Sequence, residues 1–290
     1  MEMEYNNEFV VLLNATESEF KSGQLYDALD NFFKNPASLK YEIDLIISFN
    51  KKIDTTDLYV KCIKYKNVRN VEFYFIECIP AKDNYIVNKI IYDKSKNGDL
   101  GFRSGANNLF YESMRKLFKS DYKYALRLEC DCRFIQNTWI DTFISYSEEN
   151  EFIIAGSLYK GNARLPKYDK WTGHINGVAL YNLNKHCEHF VNESENLIKY
   201  EVTQKKNHTL AFDVALHYIR FTADGTEYIE RNNLHKAFKI IESIVSLTEY
   251  DDINITDVEI LNKYPVSVLI HQKINMRNYI KHSTKQNKLK

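Results

Sequence analysis

The feature that most constrains this chain is the alternation of short apolar runs with stretches of helical period. Residues 9–13 (FVVLL), 43–49 (IDLIISF), 71–79 (VEFYFIECI), 124–128 (YALRL) and 152–156 (FIIAG) read as buried strands. Runs of this length suit a sheet covered on both faces. Residues 174–181 and 266–271 read as later strands. Residues 18–33, 107–118, 138–146 and 210–219 instead place apolar side chains at helical spacing, as at Phe20, Leu25, Ala28, Leu29 and Phe32. The same period recurs over 237–247 through Phe238, Ile241, Ile244 and Val245, followed by an acidic loop over 251–257. Strands alternating with helices predict an α/β fold with right-handed crossovers.

Composition narrows the partners. The 290 residues carry 39 basic and 39 acidic side chains, a balance that gives nucleic acid no footprint. The 21 Tyr and 17 Phe argue against disorder. The five cysteines are odd in number and irregularly spaced, without the further Cys or His pairs of a zinc site. They read as buried free thiols in a reducing compartment. No stretch reaches the roughly 18 apolar residues of a membrane span. The acidic start MEMEYNNEF lacks the basic region of a secretory signal. These points predict a cytoplasmic protein. The basic tail over 281–290 reads as a solvated terminus, with a weak peripheral contact to anionic membranes as its other reading.

In an open α/β sheet, ligands bind beyond the carboxyl ends of the strands. That rule selects Asn14, Asn50 and the step Glu129-Cys130-Asp131. Two carboxylates one residue apart at a strand end can face one cation, and oxygen ligands suit Mg²⁺ or Mn²⁺; an isolated E-x-D also fits a solvated loop. Gly101-Phe102-Arg103-Ser104-Gly105-Ala106-Asn107-Asn108 is a small-residue turn opening a helix, suited to phosphate or ribose oxygens, or simply a capped helix start. His174 and Asn176 share a strand face beside Gly177, either for a ligand or as hydrogen-bonded core groups at a bulge. His271 and Lys273 follow the last apolar run, where the imidazole suits a metal or a core hydrogen bond and the ammonium a phosphate.

Together these segments resemble a nucleotide-sugar-dependent glycosyltransferase of the GT-A fold. Glu129-Cys130-Asp131 stands where that family has its metal-binding D-x-D pattern. The stretches LECDCRFIQNTWID (128–141), AGSLYKG (155–161), GHINGVALYNL (173–183) and RSGANNLF (103–110) resemble viral and microbial members of the group. The resemblance spans roughly residues 8–220, with His271-Gln272-Lys273 as an extension. It implies a Rossmann-like domain, taken over 1–236, with a mixed central sheet flanked by helices; the region over 237–290 reads separately as a C-terminal helical and strand extension that packs on this domain and closes over the donor. The resemblance further implies a nucleoside-diphosphate sugar donor, UDP- or GDP-linked, a divalent metal, and a glycan, glycoprotein or small-molecule acceptor. Asp131 would bind the metal directly and His271 would complete its shell. Glu129, in place of the family's first Asp, would contact the sugar, the ribose or the metal. Asn14, Ala15 and Asn50 would lie near the nucleoside. Arg103, Ser104, Gly105 and Asn107 would lie near the donor ribose or sugar, with Asn176 and Gly177 beside it, and Lys273 near the diphosphate. For an inverting reaction the candidate base is Asp213, whose other reading is a helix N-terminal charge; for a retaining one, His174 would serve the sugars. A nucleotidyltransferase is the alternative enzyme, but Leu13-Asn14-Ala15-Thr16-Glu17-Ser18 has neither the glycine nor the basic residue of its phosphate loop. A non-catalytic sugar-binding scaffold is the other alternative.

Overall fold

The computed structural model describes residues 3–35, 37–77, 98–160, 173–205, 207–247 and 256–272. Strand β1 (Glu4–Ala15) lies between β2 (Tyr41–Phe49) and β4 (Tyr124–Glu129), parallel to both, and β3 (Val68–Phe75) runs parallel to β2. Alternate side chains of a strand point to opposite faces. On β1, Phe9, Val11, Leu13 and Ala15 accordingly enter one core, while Val10 and Leu12 enter the other. On β4, Leu126 and Leu128 join the first core and Ala125 the second. The continuous apolar runs are thus the signature of a sheet buried on both sides.

The remaining described strands are β5 (Cys132–Phe134), β6 (Ile154–Gly156), β7 (Ala179–Asn182), β8 (Phe238–Ile240), β9 (Ile244–Ser246) and β10 (Leu269–His271). The larger sheet has the order β3-β2-β1-β4-β7-β6-β8. Strand β7 is antiparallel to both β4 and β6, which makes the sheet mixed. A second sheet, β5-β10-β9, sets β10 antiparallel to β5 and parallel to β9. The helices are α1 (Glu17–Ser22), α2 (Gln24–Phe33), α3 (Thr56–Cys62), α4 (Ser104–Leu117), α5 (Trp139–Glu149), α6 (Lys185–Thr203), α7 (Phe212–Ile219), α8 (Ala223–Arg231) and α9 (Asp257–Lys263). None is long and apolar enough to cross a membrane.

Several sequence expectations are corrected. Residues 18–33 form two helices, because Gly23 takes a left-handed backbone (φ 81°) that ends α1 and starts α2. Residues 237–247 are not a helix. They supply β8 and β9, whose backbones pair with β6 and β10, so sheet edges available in three dimensions override a helical spacing. Within 174–181 only the end is strand, in β7; residues 173–178 are irregular. Of the acidic loop over 251–257, Asp257 opens α9 behind a Thr256–Glu259 capping box, and 251–255 lie outside the described residues. The tail over 281–290 and Lys273 also lie outside them.

Candidate active site

Strand β4 ends at Glu129, directly opposite Asn14 of β1. The chain then turns at Cys130 and Asp131 into β5, whose first residue, Cys132, pairs with His271 of β10. This register brings a residue from the far end of the sequence against the acidic step. His271 Nε2 lies 3.5 Å from Glu129 Oε2 and 3.4 Å from Asp131 Oδ1. One ligand atom from each of the three residues falls within 4.8 Å of the others. Behind the ring, Ser246 Oγ of β9 lies 3.4 Å from His271 Nδ1, which turns Nε2 toward the carboxylates.

The three side chains are held in unlike ways. Glu129 Oε1 accepts a 2.8 Å hydrogen bond from Arg127 Nη2, and Arg127 Nε donates to Asn14 Oδ1 at 2.7 Å. The buried guanidinium lies over the stacked rings of Phe110 and Phe212, 5.5 and 4.8 Å from their centroids. Burial raises the Glu129 carboxyl, but Arg127 and His271 outweigh it and hold the group well below the usual carboxylate range. Burial lowers His271, yet Asp131 and Glu129 overcome that and lift the imidazole to about 10. Asp131 Oδ1 and His271 Nε2 are buried without a hydrogen bond of good geometry. Polar atoms in that condition are costly unless something else satisfies them. Two carboxylates and one imidazole, with two unsatisfied atoms converging, fit a divalent cation. Carboxylates suit Mn²⁺ or Mg²⁺, and the imidazole favours Mn²⁺ of the two.

The other strand-end residues differ. Asn14 is buried and fully engaged: besides Arg127, its Nδ2 donates to Ser113 Oγ at 3.2 Å. Ala15 closes β1 beside it, buried. Asn50 is buried and its Oδ1 caps the backbone N–H of Glu17 at 2.9 Å. Asn107 is fully buried in α4. Its Nδ2 donates to the carbonyls of Leu100 and Leu210, and its Oδ1 accepts from the N–H of Phe212. It therefore fastens α7 to α4. Ser104 and Gly105 are buried in the first turn of α4, with Ser104 Oγ lacking a hydrogen bond, and Arg103 precedes them. At Gly177 a Cβ would fall 2.3 Å from Phe212 Cζ, so the missing side chain makes room for the ring under Arg127. Asn176 Oδ1 accepts from the N–H of Val178 at 2.9 Å.

His174 and Asp213 meet. Nε2 of the imidazole lies 3.5 Å from Asp213 Oδ2, and Asp213 Oδ1 accepts from the Val214 N–H at the start of α7. Burial raises the Asp213 carboxyl, but His174 first and Arg103 next bring it down to about 2. A carboxylate this acidic is a poor proton acceptor at neutral pH. A shallow depression opens beside it, lined along α7 by Asp213, His217 and Arg220. Sequence reasoning missed Arg127, Ser246 and Glu19. The first carried a signal: a lone arginine inside an apolar strand must be paired when buried. Glu19, in the capping box of α1, is lifted to about 7 by burial, against hydrogen bonds from Thr16 and with the help of Asp131 and Glu129.

The mixed sheet and its flanking helices match solved structures over nearly their full length. Mouse xyloside xylosyltransferase 1 in its apo form aligns with a TM-score of 0.56 at 11% identity, over 93% of this chain and 99% of that one. The galactosyltransferase LgtC, in complex with donor and acceptor sugar analogs, aligns with a TM-score of 0.51 at 12% identity, over 91% of this chain and 87% of that one. The chain has a GT-A fold. No family profile matches the sequence, and no curated protein matches it either. At such identities the likeness is one of GT-A architecture, and the chemistry rests on the site's own residues.

Proposed function

We propose that this protein is a metal-dependent glycosyltransferase that moves a sugar from a nucleoside-diphosphate sugar, UDP- or GDP-linked, to an acceptor hydroxyl. The observation that carries the reading is the convergence of Glu129, Asp131 and His271 at the carboxyl edge of the sheet, with two buried atoms unsatisfied. The GT-A architecture shared with proteins named as a xylosyltransferase and a galactosyltransferase supports the reaction class.

In this reading Asp131 and His271 would hold Mn²⁺ or Mg²⁺, and Glu129, one of whose oxygens is bonded by Arg127, would help complete the site. When bound, the ion offsets the charge that develops on the nucleoside diphosphate as it leaves. Asn14, Ala15 and Asn50 wall the nucleoside, with Asn14 and Asn50 fixed by internal hydrogen bonds. Arg103, Ser104, Gly105 and Asn176 border the ribose and sugar. Asn107 and Gly177 act through α7 and Phe212, and Lys273 is assigned to the diphosphate. Asp213 stays anionic and orients His174 toward the sugars. Residues 1–236 form the catalytic unit, and the extension over 237–290 completes it through His271. A cytoplasmic setting suits the free, buried Cys62, Cys130, Cys132 and Cys187.

The test is a thermal-shift comparison of nucleoside diphosphates and their sugar conjugates with and without Mn²⁺, joined to an assay for slow donor hydrolysis. A ligand bound only by the folded state raises its melting temperature. We expect stabilisation by one nucleotide in the presence of Mn²⁺ only, and hydrolysis of its sugar conjugate. Stabilisation that ignores the metal, or none with any nucleotide, overturns the reading.

A further inference from the structure

His271 comes to the acidic step from the far end of the sequence, and the small sheet decides which way it points. Strand β10 lies between β5 and β9 and pairs with both. Alternate side chains of a strand take opposite faces. Cys132, Phe134, Ile244 and Leu269 join the large core on one face, and His271, two residues after Leu269, turns to that side. Val245 and Ile270 take the other face, where they form a small cluster with Leu247 and with Ile260 of α9. Strand β10 has three residues, so its register rests on few backbone bonds. A slip of one residue would carry His271 to the α9 face and away from Glu129 and Asp131.

Arg133 is the charged group on that second face. It stands in β5, two residues after Asp131 and opposite Ile270, and it is fully buried. Its Nε lies 3.2 Å from Asp257 Oδ1, and its Nη1 lies 3.5 Å from Gln272 Oε1. Asp257 is the first residue of α9, behind the Thr256–Glu259 capping box. Gln272 is fully buried, follows His271 directly, and its N–H donates to the Asp131 carbonyl at 3.4 Å. One guanidinium therefore holds both the start and the end of the segment 257–272. A planar fork can serve two partners in fixed directions, which a point charge cannot. Stability alone is a weak account of it, because an apolar side chain of similar volume often replaces a buried ion pair without loss. A register device accounts for it better, since a slipped β10 would leave the buried charge without these partners.

We propose that Arg133 is a positioning residue of the metal centre: by holding Asp257 and Gln272 it fixes the register of β10 on β5 and keeps His271 turned to Glu129 and Asp131. The proposal rests on the reading of those three residues as metal ligands, and on nothing about the donor or acceptor.

The experiment compares the full chain with Arg133→Met, without nucleotide, by calorimetry with Mn²⁺ and by hydrogen exchange resolved along the chain. We expect Mn²⁺ affinity to fall about tenfold, the scale for losing a group that orients a metal ligand. Metal-free exchange over 269–272 should quicken at least about tenfold, with β1, β2 and β4 unchanged. Saturating Mn²⁺ should slow exchange over 269–272 in both proteins, because an ion that binds only the docked register must stabilise it. Affinity within twofold of wild type in Arg133→Met overturns the proposal. So does a loss accompanied by faster exchange in β1, β2 and β4, which marks general destabilisation. If Arg133→Met does not fold, Asp257→Asn, which leaves the arginine in place, is judged by the same two criteria. Nucleotide binding is measured on the same wild-type sample. Mn²⁺ binding without a nucleotide response overturns the transferase reading alone, and unchanged affinity in the variant overturns this proposal alone. A wild type that binds no divalent cation overturns both.

Discussion

Two groups of polar side chains are buried along the carboxyl edge of the sheet, and they differ in what they have left to give. Asn14, Asn50 and Asn107 are spent within the protein: each bonds to backbone or side-chain partners that hold one element against another. His271 is as enclosed as they are and Asp131 partly so, yet each keeps a buried atom with no hydrogen bond of good geometry, and those atoms face each other at 3.4 Å. Burial alone does not distinguish a structural polar group from a ligand-binding one. The unsatisfied remainder does, because a buried donor or acceptor left unmade is expensive and is kept only where something else completes it.

The sharpest way to break this comparison is to remove one member of each group and ask what is lost. Asn107→Ala strands two carbonyls and one N–H inside the protein, each costing roughly 1–3 kcal/mol when left unsatisfied. We expect a loss of about 4 kcal/mol in urea-denaturation stability, with Mn²⁺ affinity of the remaining folded protein unchanged. Asp131→Asn should do the reverse: a fall of about 100-fold in Mn²⁺ affinity by calorimetry, as suits loss of a direct ligand, with the melting temperature displaced by no more than a few degrees. If Asn107→Ala removes metal binding from folded protein, or if Asp131→Asn spares it, the division between the groups is wrong.

Arg127 joins the two groups, since its guanidinium bonds Asn14 on one side and Glu129 on the other. Arg127→Met keeps the volume over Phe110 and Phe212 but frees Glu129 and strips Asn14 of its donor. We expect both readouts to move, by about 2 kcal/mol in stability and about tenfold in Mn²⁺ affinity, the scale seen when a partner that orients a metal ligand is removed. A change in only one readout would place Arg127 wholly in one group.

How much of this was legible beforehand follows the same physics. Strands β1, β2 and β4 could be read because burial on both faces writes a continuous apolar run. Helix α6 went unread because its inner face includes Ser194 and Glu195, which blur the apolar period. Residues 237–247 were misread because Phe238, Ile241, Ile244 and Val245 match helical spacing, while the pairing that decides their structure comes from β6 and β10, far away in sequence. At the site, the strand-end rule selects Asp131 together with Asn14 and Asn50 without separating them, and His271 stands out only as an imidazole after the last apolar run. Whether a side chain's hydrogen bonds are spent internally depends on partners such as Ser113 and Glu17, which no local pattern reveals. Arg127 and Ser246 were hidden for a related reason: each acts on a ligand-bearing residue rather than presenting a motif of its own.

Asp213 tests the comparison at its boundary, because it has one oxygen spent on Val214 and the other turned to His174. Its carboxyl is held at about 2, below the ordinary aspartate value of 3.8. A group whose folded value lies below its unfolded one contributes stability above the unfolded value, and loses that contribution as pH falls through the folded value. The window is therefore about pH 4 down to about pH 2. The size is about 2 kcal/mol for a shift of nearly two units. Wild type should exceed Asp213→Asn by about that amount at pH 5 in urea denaturation, and the difference should vanish near pH 2. A difference that stays constant across the window would mean that the carboxylate's charge is not what joins it to His174. Asp213 would then belong with the asparagines, as a helix-start group held by hydrogen bonding alone, and the Asp213–His174 pair would lose its claim to orient a sugar.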